Sequence, residues 1–133
     1  VSALPLVRID VIEGRWDTDR ISQLAQTVQD VLVDEFAAPE RDRYQVISEH
    51  KPGHIVALDT GLGFERSDDV VVIQVTQQGR STDQKKALYA ALSVRLEASV
   101  DLNPKDLVVS VVENTQADWS FGFGRAQFLE GDL

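Results

Sequence analysis

Leu4-Pro5-Leu6-Val7-Arg8-Ile9-Asp10-Val11-Ile12-Glu13-Gly14-Arg15 is the stretch whose reading decides the fold. Val7, Ile9 and Val11 alternate with Arg8 and Asp10, the two-residue period of a strand with one buried face. Leu6 and Ile12 share the polar face, so both faces are expected to be at least partly covered. Gly14-Arg15 then turns the chain into a helix. Pro5 heads the strand, a usual place for a residue with no N–H to give to a ladder. A second reading of Pro5 is chemical. A proline at a chain terminus is a secondary amine, able to act as base, acid or iminium-forming nucleophile. Here the chain starts at Val1 and Leu4 acylates that nitrogen; spacing alone leaves both readings open.

Outward from this strand, Ile21, Leu24, Val28, Val31, Leu32 and Phe36 recur at three- and four-residue steps and predict a helix over Thr18 to Phe36. Asp17 or Thr18 is its N-cap. Ala37-Ala38-Pro39-Glu40 ends it, since proline cannot continue a helix. Tyr44 to Glu49 reads as a second strand. Lys51-Pro52-Gly53 and Gly61-Leu62-Gly63 bracket a loop, with a short strand expected at Ile55 to Leu58. Asp69 to Gln77 is β-rich and nearly continuously apolar, as in a central strand buried on both faces. Gly79-Arg80 leads into a helix from Thr82 to Ser99 with Ala87, Leu88, Ala91, Leu92 and Leu96 inward. Leu107 to Val112 is a fourth strand after a turn at Pro104, and a Gly- and Phe-bearing tail runs from Asn114 to Leu133.

The halves repeat. Gly14-Arg15 and Gly79-Arg80 each join a strand to a helix. At a shift of 64, Leu24 meets Leu88, Leu32 meets Leu96, Asp42 meets Asp106 and Glu49 meets Glu113. Each half is strand, helix, strand, for which parallel pairing with a right-handed crossover is the default. The expectation is one α/β (α+β) domain over 1–133: repeats at about 5–49 and 69–113, tail 114–133. Its four-stranded sheet would carry two helices on one face. The other face, partly apolar, would need other subunits to cover it.

Composition narrows the function. With 133 residues the chain is large enough for its own core, and 43% apolar with 26% charged residues is ordinary for a globular protein. The net charge of −9 argues against nucleic acid as a partner. No apolar run long enough to span a membrane is present, and no charged-then-apolar leader is read, so a cytoplasmic location is expected. Cysteine is absent, which excludes thiol chemistry. A small anion would need a local Arg or Lys, so each Arg near a cleft matters.

Two β-α-β halves headed by a proline resemble the tautomerase superfamily, and within it malonate semialdehyde decarboxylase and its homologues. The carriers are Pro5-Leu6, Asp10 and Gly14-Arg15; Pro39 with Asp42-Arg43-Tyr44-Gln45; Asp59-Thr60-Gly61-Leu62-Gly63; Arg80; and the ending from Glu113-Asn114 through Ala117-Asp118-Trp119-Ser120-Phe121-Gly122, Gly124-Arg125-Ala126, Phe128-Leu129 and Gly131-Asp132-Leu133. The resemblance spans Pro5 to Leu133, and the ending is its most specific part. It implies a cofactor-independent homotrimer whose site uses an N-terminal proline. Its catalytic residues match Pro5 and Asp42. Of two arginines around the second strand-to-helix turn only Arg80 has a counterpart; Gln78 replaces the other. Trp119, Phe121, Phe128 and Leu133 match an apolar wall. The implied substrate is a small anionic oxo acid.

Each residue has a plainer alternative. Leu codons serve as bacterial start codons, so initiation at position 4 as formyl-Met, followed by its removal, would free Pro5; otherwise Pro5 is only a strand head. Arg80 would clamp a carboxylate through paired N–H donors, or be a solvated side chain at a helix start. Asp42 would act in catalysis, or cap a turn as Asp106 does. Arg15 suits a surface ion pair, and Arg125 is a secondary candidate anion ligand. His50 and His54 lack metal-ligand partners in sequence. Three functions follow: decarboxylation of malonate semialdehyde to acetaldehyde, keto–enol tautomerisation of a 2-oxo acid with neutral Pro5 as base, and a non-catalytic trimer if Pro5 is not the native terminus.

Overall fold

The computed structural model describes residues 5–133, so the expectations that fall on Val1 to Leu4 lie outside the described residues. The elements run β1 (Leu6–Ile12), α1 (Thr18–Phe36), β2 (Tyr44–His50), β3 (Val71–Gln78), α2 (Thr82–Val100) and β4 (Leu107–Asn114), with a short α3 (Gln127–Glu130) in the tail. The sheet order is β2-β1-β3-β4. Each half pairs its own strands in parallel, β1 with β2 and β3 with β4, and the halves meet through antiparallel β1 and β3.

Val7, Ile9, Val11, Val71, Ile73 and Val75 face the helices and are buried against Leu24, Val28, Leu32, Phe36, Leu88, Leu92 and Leu96. Asp17 caps α1 by accepting from the Arg20 backbone N–H at 2.7 Å. Ser81 and Gln84 form a reciprocal capping box on α2. Both helices close identically, with Ala37 and Asp101 in the left-handed region and the next N–H bonding back six residues, Ala38 to Leu32 and Leu102 to Leu96.

The helix ends Phe36 and Val100, 64 residues apart, are sealed alike, though by arginines that are not repeat partners. Arg80 donates from Nε and Nη2 to the Phe36 carbonyl, at 3.1 and 2.9 Å. Arg20 donates from the same two atoms to the Val100 carbonyl, at 3.0 and 2.7 Å. Each guanidinium also lies over an aromatic ring, Arg80 over Phe36 and Arg20 over Trp16. A cation at the C-terminal carbonyls of a helix is favourable.

Three local expectations need correction. Ile55 to Leu58 forms no strand: the segment has no pairing partner among the described residues, and Val56 and Leu58 are exposed. Asp59 orders the following turn instead, accepting from the Gly61 and Gly63 N–H groups. Ala87 points outward, because the inward row of α2 is the narrower Leu88, Leu92, Leu96, Val100. β3 is central, but only one of its faces is covered within the chain: Val71, Ile73, Val75 and Gln77 are buried, while Gln74 is exposed. Val46 and Val112 also lie on that open face. No helix among the described residues is long and apolar enough to cross a membrane.

Candidate functional site

One end of the sheet gathers the residues singled out in sequence. β1 and β2 begin there, β3 and β4 finish there, and α1 delivers Pro39 and Asp42 to it. Leu6 pairs with Tyr44 on one side and Thr76 on the other. Pro5, one position further out and buried, therefore stands between the entry to β2 and the Gln77-Gln78 end of β3. Gln78 lies opposite Asn114 of β4, and Arg80 follows in the β3–α2 turn.

The tail covers this end of the open face. Trp119 stacks on Phe121 at 5.1 Å, Phe128 meets Phe121 edge-on at 5.6 Å, and Tyr44 contacts both Trp119 and Phe121. The tail is stitched to itself. Gln127 accepts from the Phe121 N–H and donates to the Gly122 carbonyl, and Arg125 grips Asp132 with two bonds. Between it and the loop from α1 lies a cavity of about 470 Å³, with Pro39, Asp42 and Tyr44 on one side and Phe121, Asp132 and Leu133 on the other. A second groove between the helices, about 450 Å³, has both of its lining arginines engaged: Arg95 holds Asp34, and Arg43 holds Gln26 and Gln45.

Asp42 and its repeat partner have diverged. Asp106 is buried and accepts from both the backbone N–H and the hydroxyl of Ser67, each at 2.6 Å. The Asp42 carboxylate has no hydrogen-bond donor among the described residues, and burial raises its pKa above the usual carboxylate value. The protonated form is thus favoured by folding, and stability falls as pH rises from the ordinary value through the raised one. Asp42→Asn should raise the melting midpoint near neutral pH, with the gain vanishing toward pH 3; thermal scans across pH check this.

Arg80 sits where the resemblance puts it but is already engaged. Besides Phe36, it donates from Nη1 to the carbonyls of Gln78 and Gly79. Among the described residues, four of its five N–H donors meet backbone carbonyls, and one on Nη2 is left. Its pKa is lowered by burial. Arg15 forms the surface ion pair with Asp69 at 2.9 Å, and Arg125 is taken by Asp132 and Glu130. His50 lies 2.6 Å from Asp10.

An unpaired polar set joins Gln78 and Trp119, both singled out in sequence, to Gln77 and Asn114, which were not. Among the described residues, six buried side-chain polar atoms have no partner. Five of them are at the Pro5 end: both amide atoms of Gln77, Gln78 Nε2, Asn114 Oδ1 and Trp119 Nε1. Buried polar groups are normally paired, so this end of the sheet is set to receive something polar. The available signal was parity: Gln77 falls on the same face as Val71, Ile73 and Val75.

A four-stranded sheet of two β-α-β halves, with a proline at the head of the first strand and an aromatic wall over that end, defines a class. The chain belongs to the tautomerase family: models described as "Tautomerase enzyme" match residues 42–122 and 5–65. It is 45% identical over 130 residues to the probable tautomerase YrdN of Bacillus subtilis (strain 168), covering 98% of this chain and 100% of YrdN. Among solved structures it resembles malonate semialdehyde decarboxylase, described as having decarboxylase and hydratase activities, with TM-score 0.90 and 45% identity over 96% of this chain and 98% of the other. A fused 4-OT symmetric trimer shares the fold at TM-score 0.75 and 20% identity, covering 95% of this chain and 98% of the other.

Proposed function

We propose that this chain is a malonate-semialdehyde-decarboxylase-like enzyme, removing carbon dioxide from a small 3-oxo acid with Pro5 as a terminal-type proline. The observation that carries this reading is that one end of the sheet holds Pro5, the donor-free Asp42 carboxylate, the unpaired side-chain atoms of Gln77 and Gln78, and the Trp119–Phe121 wall over its open face. In the reaction the bond from the carboxylate carbon to C2 breaks and its electron pair flows toward C3. There a protonated Pro5 polarises the carbonyl oxygen, or an iminium formed by neutral Pro5 takes up the pair. A proton then reaches C2, and on the iminium route the water lost when the iminium formed is returned, breaking the C3–nitrogen bond and freeing Pro5, so that either route gives acetaldehyde from malonate semialdehyde. Arg80 and Gln78 hold the carboxylate, Asp42 orients water or the proline, and Trp119, Phe121, Phe128 and Leu133 exclude water from the departing group. No cofactor takes part.

One observation favours a second reading, a 2-oxo-acid tautomerase with neutral Pro5 as base. Gln78 supplies no charge, and Arg80 is largely engaged by backbone carbonyls, so the site is a weak clamp for a departing carboxylate. Product assay on a chain starting at Pro5 separates the two. Acetaldehyde release from malonate semialdehyde supports the lyase; ultraviolet-detected ketonisation of a 2-oxo acid enol without carbon dioxide release replaces it.

The assembly we propose is a homotrimer closed through the open sheet face, where Val46 and Val112 are each 42% exposed beside Leu6 and Val72. Sedimentation or light scattering is expected to give three times 14.8 kDa at micromolar concentration; a stable monomer would overturn it.

A further inference from the structure

We infer that Gln77 is the positioning residue for Pro5: its side-chain amide is the hydrogen-bond partner of the proline nitrogen when that nitrogen is a free amine. This rests on the terminal-proline reading above. In β3 the residues of Gln77's parity, Val71, Ile73 and Val75, are fully buried against the helices. Gln77 continues that row at 1% exposure, with neither Oε1 nor Nε2 partnered among the described residues. A buried amide with nothing to bond is unfavourable, so its place in an otherwise aliphatic row calls for a partner.

The register supplies one. Leu6 pairs with Thr76 and Val7 with Val75, antiparallel. One step outward from Leu6–Thr76, Pro5 and Gln77 are cross-strand neighbours on the face of Val7 and Val75. Such neighbours have Cβ atoms about 4.5–5.5 Å apart, which brings a carboxamide within reach of the adjacent ring nitrogen. With Leu4 attached, that nitrogen is a tertiary amide. It has no N–H, its lone pair is delocalised, and it can satisfy neither amide atom. A free proline amine carries one N–H and a lone pair when neutral and two N–H groups when protonated. Oε1 accepts from either form, while Nε2 can donate only to the neutral lone pair. The edge that Gln77 turns toward Pro5 therefore biases its protonation, and with Oε1 facing it the protonated form is favoured. The other charged or titratable groups brought to this end are Asp42, Tyr44, Arg80, Glu113 and Asp132. Of these groups only Gln77 is the cross-strand neighbour of Pro5 on its own face.

The test uses chains starting at Val1 and at Pro5, each with Gln77 or Gln77→Leu. Thermal scans should show Gln77→Leu raising the midpoint of the Val1 chain, where the amide is unpartnered, and lowering that of the Pro5 chain. In the Pro5 chain with ¹⁵N-labelled proline, NMR titration should place the amine of Gln77→Leu about one pH unit below that of the unsubstituted chain. Gln77→Met repeats the comparison if the Leu variant does not fold. An unchanged titration in a folded variant, or equal thermal effects on both chains, would overturn the assignment. Neither readout uses turnover. An inactive Pro5 chain with a Gln77-dependent titration would sink the enzymatic reading and leave this one standing.

Discussion

A chain that begins at Pro5 is expected to turn over its oxo acid at least about a hundred-fold faster than one that begins at Val1. The margin is the lower end of what a positioned acid or base contributes. In the longer chain the Pro5 nitrogen is bonded to Leu4, so it neither takes a proton nor attacks a carbonyl. No second amine stands in for it there: the neighbouring groups are carboxyl, phenol and guanidinium side chains and the neutral amides of Gln77 and Gln78. The measurement is initial-rate release of product from both forms, made with matched folding by circular dichroism. Equal rates would show that proline is not the catalyst. No activity in either form, with trimers intact, would instead favour the non-catalytic assembly.

The second large effect is expected at Arg80, where structure and chemistry are coupled. Arg80→Ala should lower kcat/KM about 10²- to 10³-fold, as loss of a charged contact worth about 3–4 kcal/mol would. It should also lower stability by about 1.5–3 kcal/mol, because the Phe36 carbonyl loses a charge-assisted partner at the end of α1. The two losses are separable. Rates are read well below the melting midpoint, and Arg80→Lys restores charge without the two-pronged grip on Phe36. If Arg80→Ala melts early but keeps its rate, the residue is a helix seal alone. The carboxylate is then held elsewhere, and Arg125 of the tail must leave Asp132 to do it, since Arg15 follows the far end of β1. Adding the absent cation should help: Gln78→Arg is expected to lower the Michaelis constant for malonate semialdehyde roughly three- to thirty-fold.

The alternation of Val7, Ile9 and Val11 and the 64-residue repeat made the sheet and both helices legible, because period and capping are local properties. The Ile55 to Leu58 segment misled because apolar residues ask for burial without saying whose: Val56 and Leu58 find none among the described residues. At the site, Asp42 and the Trp119–Phe121 pair were legible through resemblance, and the structure brings them to the same end as Pro5. What Arg80 bonds was not. Its partner, the Phe36 carbonyl, is a backbone atom 44 residues away, and no side-chain pattern records it. The role of Gln77 was likewise hidden inside a run that reads as plain strand.

The paired helix seals make the two halves hostages of one another. The first half's helix is finished by an arginine encoded in the second, and the second's by an arginine encoded in the first. A gene carrying either half alone would specify a chain with an unsealed helix end and a bare strand edge, so it would have to recruit the complementary piece to finish itself. Joining the halves in one chain makes that recruitment intramolecular. It also frees each copy to drift: Asp106 keeps Ser67 as a structural partner, while Asp42 has no donor among the described residues.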